Sequence, residues 1–405
     1  MTLYEELKWR GLIKDEAGDD LEDIINGCDA TFYIGTDPTA DSLHIGHYCS
    51  FLTAKRLGLK GHHPIVLVGG ATGLIGDPRP TSEREIISKE TVQNNIDGIT
   101  NQLIDIFDGN VEVVNNYDWT KDVTIIDFLR DIGKYININY MLDKDIIRRR
   151  LETGITFAEF TYTLLQGFDF VHLYEEKNCI MQAAGSDQWG NITTGVDLIG
   201  KKLGKKAYAF TMPLILDARG EKFGKSAGNA LWLDRSKTSS YELYQYLLNT
   251  DDVKIEEYLK VFTFLSKEEI EAIMKDQNEK PESRIAQKAL AREFITDLHG
   301  KEAYEEAVTI SEALFSGNVK DLTDSQIEAA FKGVEVFKVD STKPLIDLLV
   351  ENKITSSRRE AREFLNGNAI SINGDKVTDE NFKIDTTRKY NIIRRGKKKY
   401  YIFEN

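Results

Sequence analysis

The chain has 405 residues, 41% of them hydrophobic and 29% charged, with a formal net charge of −14. That is too long for one ordinary domain, ample for a packed core, and unlike a disordered or fibrous chain. No apolar run approaches the roughly eighteen residues of a membrane-spanning helix, and the three isolated cysteines, Cys28, Cys49 and Cys179, offer neither a disulfide framework nor zinc-site spacing and read as small buried hydrophobes.

Met1 to Asp20 is charged and lacks the apolar stretch of a secretory signal, so a cytoplasmic location is expected. From residue 31 to 220, short apolar runs alternate with longer amphipathic ones. Thr31 to Gly35, Pro64 to Gly70, Val111 to Asn115 and Cys179 to Ala183 read as buried strands; Tyr48 to Leu59 and Ser82 to Phe107 have helical spacing. This alternation predicts an α/β domain, a parallel sheet with helices on both faces.

After the first strand comes Asp41-Ser42-Leu43-His44-Ile45-Gly46-His47. Asp41 or Ser42 is placed to cap a helix starting near Leu43, which would aim free backbone N–H groups above the sheet. His44 and His47 then share one helical face, and Gly46 leaves room for a flat ring against the backbone. Further on, Lys222-Phe223-Gly224-Lys225-Ser226 sets two ammonium groups three residues apart in a loop that could close over phosphates. Each run alone is no more than a histidine pair or a solvated lysine loop; their occurrence together points to nucleoside triphosphate chemistry.

From Ser239 to about Phe315 the pattern is helical throughout, and Ser316 to Lys343 reads as a connection punctuated by Gly317, Gly333 and Pro344. The closing segment has a helix-like run from Pro344 to Asn352, and a second helix in which Arg358, Arg359 and Arg362 share a face. A strand from Ala369 follows, ending in an Asn373-Gly374 turn, then Arg394-Arg395-Gly396-Lys397-Lys398-Lys399 and an aromatic strand. From Lys343 to Asn405 there are 14 basic and 9 acidic residues, a net +5 against −14 overall, so the remainder carries −19. A small nucleic-acid-facing module on an acidic body is expected.

These motifs resemble those of class I aminoacyl-tRNA synthetases: His44 to His47 matches the HIGH signature unaltered, and Lys222 to Ser226 is similar to the KMSKS loop. Tyr33 to Thr39, Gly73 to Pro78, Phe160 to Asp169 and Gly185 to Asn191 narrow the resemblance to the bacterial-type tyrosyl-tRNA synthetases, over essentially the whole chain. The resemblance implies a Rossmann-like catalytic domain over 1–220, a phosphate loop and helical domain over 221–325, a linker over 326–342 and an α+β, S4-like RNA-binding module over 343–405. The implied reaction is tyrosine activation by ATP and transfer of the tyrosyl group to the terminal ribose of tRNA(Tyr).

By the same resemblance, Tyr33 and Asp169 would receive the substrate's phenolic hydroxyl, and Asp77, Tyr162 and Gln166 its ammonium group. Tyr162, Gln166 and Asp169 can face one pocket from a single helix. Phenylalanine would leave Tyr33 and Asp169 desolvated and unpaired, the discrimination for which tyrosyl enzymes are already known. Gly35, Asp37 and Gly185 would line the nucleotide, Asp187 would hold ribose, and Gln188 would lie by the reacting carboxylate. His44, His47, Lys222 and Lys225 would stabilise the α-phosphorus and departing pyrophosphate. ATP would enter as Mg-ATP, with no permanently bound cofactor and no protein metal site, and tRNA would be gripped by Arg358, Arg359, Arg362, Arg394, Arg395 and Lys397.

A homodimer is implied, with apolar helices between Val123 and Ile155 as its candidate contact. Three departures from the family pattern stand out: Phe223-Gly224 for Met-Ser, Ile34 where relatives carry a polar group near ribose, and a shortened stretch at Arg79-Pro80-Thr81. The last leaves Arg79 and Arg84 as alternative pyrophosphate contacts. A tryptophanyl enzyme of the same class and a non-catalytic RNA-binding relative are the competing readings. Tyr33 with Asp169 speaks against an indole ligand, and the retained histidines and lysines speak against loss of catalysis.

Overall fold

The computed structural model describes residues 1–78, 87–226, 229–396 and 399–405, without the side chains of Asp145, Ile146, Thr153, Lys225, Ser226 and Asn229. Arg79, Arg84, Lys397 and the Lys225 side chain therefore lie outside the described residues. The chain divides into two compact units, Met1–Thr238 with Leu248–Leu298, and Ser239–Leu247 with His299–Asn405. Among the described residues no helix is long and apolar enough to cross a membrane.

The first unit is built on six strands: β1 (Glu16–Ala17), β2 (Thr31–Thr36), β3 (His63–Val68), β4 (Glu112–Asn115), β5 (Met181–Gly185) and β6 (Tyr208–Met212). Their order is β1-β6-β5-β2-β3-β4, parallel except for β1. The chain winds outward from β2 through β3 to β4, then returns to lay β5 and β6 on the other side of β2. That reversal opens a crevice at the carboxyl ends of β2 and β5, where such sheets bind ligands. Phe32, Tyr33 and Ile34 of β2, Ile65 to Val68 of β3 and most of β5 and β6 are buried, which explains their unbroken apolar runs. The strand expected over 179–183 runs instead from 181 to 185, because the Cys179 N–H donates to Leu173 O and closes the preceding helix.

The helical pattern after residue 239 is realised as Ser240–Leu248, Asp252–Phe262, Lys267–Glu279, Ile285–His299 and Lys301–Ser316. A small antiparallel pair, β7 (Lys225–Ser226) and β8 (Asn229–Ala230), belongs to the phosphate loop of the first unit.

The second unit carries a five-stranded sheet of β9 (Val336–Lys338), β10 (Ile370–Ile372), β11 (Asp375–Lys376), β12 (Tyr390–Arg395) and β13 (Lys399–Glu404), in the order β11-β10-β12-β13-β9. The Asn373-Gly374 turn forms as read, with φ of +50° and +96° and Ile372 opposite Asp375. Helices Leu345–Glu351 and Arg358–Asn366 cover the sheet over a core that includes Leu345, Leu349, Ile354, Leu365, Ile393 and Phe403. The stretch expected as a linker over 326–342 contains β9, which pairs in parallel with β13, while Ile327 and Phe331 join a core with Ile310, Tyr390 and Ile402. Glycines and a proline punctuated this stretch in the sequence, but its apolar positions find partners on the helix Lys301–Ser316 and on the distant strands β12 and β13.

Candidate active site

The first histidine run lies between β2 and the helix Ile45–Leu59. Neither Asp41 nor Ser42 caps this helix; His44 does, in extended conformation, with its Nδ1 accepting the Gly46 N–H at 3.1 Å. The shift has a local cause. Leu43 is held outside the helix, its N–H donating to Gln102 Oε1 at 2.9 Å and its carbonyl accepting the Leu233 N–H at 2.8 Å. His47 Nδ1 accepts the His44 N–H at 3.5 Å, and the two imidazoles stack with centroids 3.7 Å apart. Because both Nδ1 atoms accept, each neutral ring carries its proton on Nε2. Burial, then the charges of His44 and Lys222, push His47 down to about 3, so it is a neutral donor at physiological pH. The flat ring against Gly46 is His44's own; a Cβ there would meet it at 2.9 Å and Phe223 O at 3.3 Å.

The phosphate loop is laced to this helix start by backbone bonds. The Leu231 N–H donates to Gly224 O at 2.9 Å, and the Ile45 N–H donates to Leu231 O at 2.9 Å. Phe223 is buried, its ring 4.7 Å from both Tyr258 and Phe262, so it fastens the loop to the helix Asp252–Phe262. Gly224 has φ +91°, and a Cβ on it would fall 2.5 Å from Ile45 Cγ1. The Phe-Gly pair therefore fits here on packing grounds: an aromatic anchor, then a residue without Cβ against the histidine helix.

The helix Phe157–Lys177 supplies one wall of the crevice. Thr156 and Glu159 form its capping box, and the Glu159 carboxylate is held by Arg150 at 2.6 and 2.9 Å in a buried pair. Asp169 is buried; its Oδ1 accepts from Trp119 Nε1 at 2.9 Å and its Oδ2 from Asn116 Nδ2 at 3.0 Å. Despite both donors, burial pushes its carboxyl up to about 7, helped by the charge of Asp37. Tyr33 is buried with its ring 5.3 Å from that of Phe170, and its Oη lies by the Gln182 side chain without a well-formed hydrogen bond among the described residues. Burial, then the Asp169 charge, holds the Tyr33 phenol well above its usual range, so it stays protonated. Among the described residues Gln166 Oε1 and Gln182 Oε1 are likewise buried without a partner, and Gln182 is in register with Tyr33 across the β2–β5 switch point. Orphaned polar atoms at such a place imply a polar ligand.

Asp37 was expected beside the nucleotide. In the structure its Oδ2 accepts from Tyr162 Oη at 2.9 Å and its Oδ1 from Thr72 Oγ1 at 2.8 Å, and Thr72 Oγ1 accepts from Asn116 Nδ2 at 3.1 Å. One network thus runs Tyr162, Asp37, Thr72, Asn116, Asp169, Trp119. It requires glycine at position 69, where a Cβ would lie 2.2 Å from Asp37 Oδ1. Asp77 accepts from Gln188 Nε2 at 2.8 Å and Asn191 Nδ2 at 3.3 Å, with Thr163 Oγ1 donating to Asn191 Oδ1 at 2.7 Å.

Asn116, Trp119, Thr72 and Asn191 escaped the reading of the sequence. A signal did exist for three of them, since Thr72 follows the end of β3 and Asn116 and Trp119 follow the end of β4, on the ligand-binding edge. Gly35 and Asp187 are exposed there, Gly185 ends β5, and among the described residues only Leu67 O comes within 4 Å of a Cβ built on Gly35.

In the second unit the helix Arg358–Asn366 presents its arginines in exposed ion pairs: Arg358 with Asp347, Arg359 with Glu363 at 3.3 Å, and Arg362 with Glu380 at 2.6 Å. Arg395 reaches Ile354 O and lies over the Phe364 ring, whereas Arg394 is half-exposed on β12. Exposed pairs of this kind are worth little, so phosphates can displace the acids.

Comparison with known proteins agrees with this architecture. Residues 26–316 match the family described as tRNA synthetases class I (W and Y), and residues 326–403 match the Tyrosine--tRNA ligase SYY-like C-terminal domain. The chain is 49% identical to a protein of Macrococcus caseolyticus named Tyrosine--tRNA ligase, with 99% of each chain covered. It is 48% identical, over the same shares, to Tyrosine--tRNA ligase 1 of Enterococcus faecalis. A C-terminally truncated mitochondrial tyrosyl-tRNA synthetase of Aspergillus nidulans superposes with a TM-score of 0.70 at 34% identity, covering 78% of this chain and 94% of that one.

Proposed function

The chain belongs to the class I tRNA synthetases (W and Y), and from that premise we infer how its residues divide the work. It is a tyrosine–tRNA ligase. The tyrosine carboxylate attacks the α-phosphorus of ATP, forming the acyl–phosphate bond as the bond to pyrophosphate breaks; the terminal ribose hydroxyl of tRNA then attacks the activated carbonyl and AMP departs. No covalent bond to the enzyme is needed, so positioning and electrostatics carry the reaction.

The observation that carries the assignment of the pocket is the buried Asp169 carboxylate beside the buried, protonated Tyr33 hydroxyl. A phenolic hydroxyl can accept from Tyr33 while donating to Asp169; an indole lacks the oxygen for the first bond. The ammonium group is assigned to Asp77, Tyr162 and Gln166, and the reacting carboxylate to Gln188. Gly35, Asp37, Gly185 and Asp187 are assigned to the nucleotide, with Asp37 also serving the Tyr162 network. His44 and His47 donate through Nε2–H to charge building on phosphate oxygens, and Lys222 and Lys225 neutralise the leaving pyrophosphate. Magnesium enters with ATP as part of the substrate.

Arg358, Arg359, Arg362, Arg394, Arg395 and Lys397 are assigned to tRNA phosphates, and the enzyme to the cytoplasm. A homodimer is supported by the large apolar side chains left exposed in the first unit between positions 125 and 157: Ile125, Ile126, Leu129, Ile138, Leu151 and Phe157.

The direct test is ATP–pyrophosphate exchange with tyrosine, phenylalanine and tryptophan in turn. Exchange with tyrosine alone is expected; equal exchange with tryptophan would reassign the pocket. Gly224→Ala is expected to lower the exchange rate by about ten-fold or more, through strain at positive φ and collision with Ile45. Its KM for tyrosine should stay at the wild-type value, because the loop is assigned to the departing pyrophosphate and not to the amino acid; a raised tyrosine KM with an unchanged rate would contradict this.

A further inference from the structure

Three residues beyond Asp169 on the helix Phe157–Lys177 is a side chain with no part in the reading above. The His172 ring stacks on the Trp119 indole, with centroids 4.5 Å apart and planes inclined by 19°. Trp119 in turn donates its Nε1–H to Asp169 Oδ1 at 2.9 Å. Phe168 stands on the same helix face, 6.5 Å from His172, and meets Phe128 edge-on at 6.1 Å. Trp119, Phe128 and Phe168 are all half-buried against the core that holds Tyr33 and Phe170.

The bond from Trp119 to Asp169 is only as well aimed as the indole that makes it. Trp119 sits in a single helical turn, Tyr117–Thr120, placed just after β4. One turn has little stiffness of its own, so the plane of the indole is set by what covers its faces. His172 covers one of them from the long helix that also carries the acceptor, which fixes donor and acceptor in one frame.

We propose that His172 is a positioning residue for substrate selection, acting through Trp119 to hold the Asp169 carboxylate for a hydroxyl-bearing ring. The inference deepens the reading of Asp169 as the base of the tyrosine pocket and rests on it. His172 touches no substrate atom and takes no part in phosphoryl transfer. Its removal should therefore loosen amino-acid selection and leave the chemical step intact.

The experiment is pyrophosphate exchange by full-length wild type, His172→Ala and His172→Phe, with tyrosine and phenylalanine each titrated and ATP varied separately. For His172→Ala the KM for tyrosine should rise about five-fold, the ratio of kcat/KM for tyrosine over phenylalanine should fall by about the same factor, and kcat and the KM for ATP should hold. His172→Phe, which restores a ring on the indole, should recover most of the selectivity.

A generally loosened fold would instead lower kcat and affect both amino acids alike, and that result would overturn the proposal. So would an unchanged selectivity ratio in the Ala variant, or a Phe variant as impaired as the Ala one. If His172→Ala does not fold, His172→Gln removes the stack while keeping a polar side chain, and the same outcomes apply. Failure of the wild type to exchange with tyrosine would overturn the assigned function itself, so the two failures are told apart by the wild-type arm.

Discussion

Removal of residues from Asn318 onward is expected to abolish tRNA charging, by more than about 100-fold, while tyrosyl-adenylate still forms at close to the full-length rate. Every side chain assigned to tyrosine or ATP belongs to the first compact unit, between Tyr33 and Lys225. The basic side chains assigned to tRNA all belong to the second. Truncation deprives Ile310 of its partners Val319, Phe331, Tyr390 and Ile402, so the shortened chain should melt earlier without losing the parallel sheet. The measurement is a pair of assays on one preparation, pyrophosphate exchange and tRNA aminoacylation. Normal charging by the truncated protein would show that the C-terminal sheet does something other than grip tRNA. In the full-length protein the KM for tRNA should rise steeply with salt, as expected when lysines and arginines replace counterions on phosphates.

Asp169→Asn is expected to lower kcat/KM for tyrosine by about 100-fold through loss of a charge-assisted acceptor, with the KM for ATP near the wild-type value. The asparagine must also turn an N–H toward either Trp119 or Asn116, both of which are donors. In wild type, kcat/KM for tyrosine should climb as pH rises through about 7, because burial keeps Asp169 protonated below that point. Its hydrogen-bond partners Asn116 and Trp119 do not titrate, Tyr33 is held protonated, and Asp37 is the charged group that acts on it through space.

The stability of the ligand-free enzyme carries the opposite sign. The folded carboxyl binds its proton more tightly than the unfolded one, so this residue's contribution falls as pH rises from about 4 toward about 7. Tyrosine, which selects the ionised form, should offset that loss. In Asp169→Asn both dependences should flatten; a wild-type slope surviving in the variant would assign the titration to another group.

Much of this was legible in the residues. Unbroken apolar runs such as Ile65 to Val68 announced buried parallel strands, since a strand covered on both faces has no polar side to show. The Asn373-Gly374 turn was readable because few residue pairs accept positive φ in succession. The histidine run and the lysine loop stood out by their local spacing, while the Asp169 helix was marked by its resemblance to the tyrosyl enzymes. The linker reading of 326–342 rested on the same kind of local cue. It did not foresee β9, whose pairing with β13 joins residues more than sixty positions apart.

The sequence by itself determined the charge contrast between an acidic body and a basic terminal segment, the apolar strands of the α/β sheet, and the motifs from which residues are assigned to tyrosine, ATP and pyrophosphate; the helical segment over 221–325, expected as one domain, is divided between the two compact units. Only the tertiary structure decided how those groups are supported. It made His44 the cap of its own helix, because Leu43 is held by residues 102 and 233. It joined Asp37 to Tyr162, and Asp169 to Asn116 and Trp119, across separations of 50 to 125 residues. Hydrogen bonds and ring contacts of that kind form where the carboxyl ends of neighbouring strands converge, and their partners are chosen by the order of strands in the sheet rather than by their order in the chain.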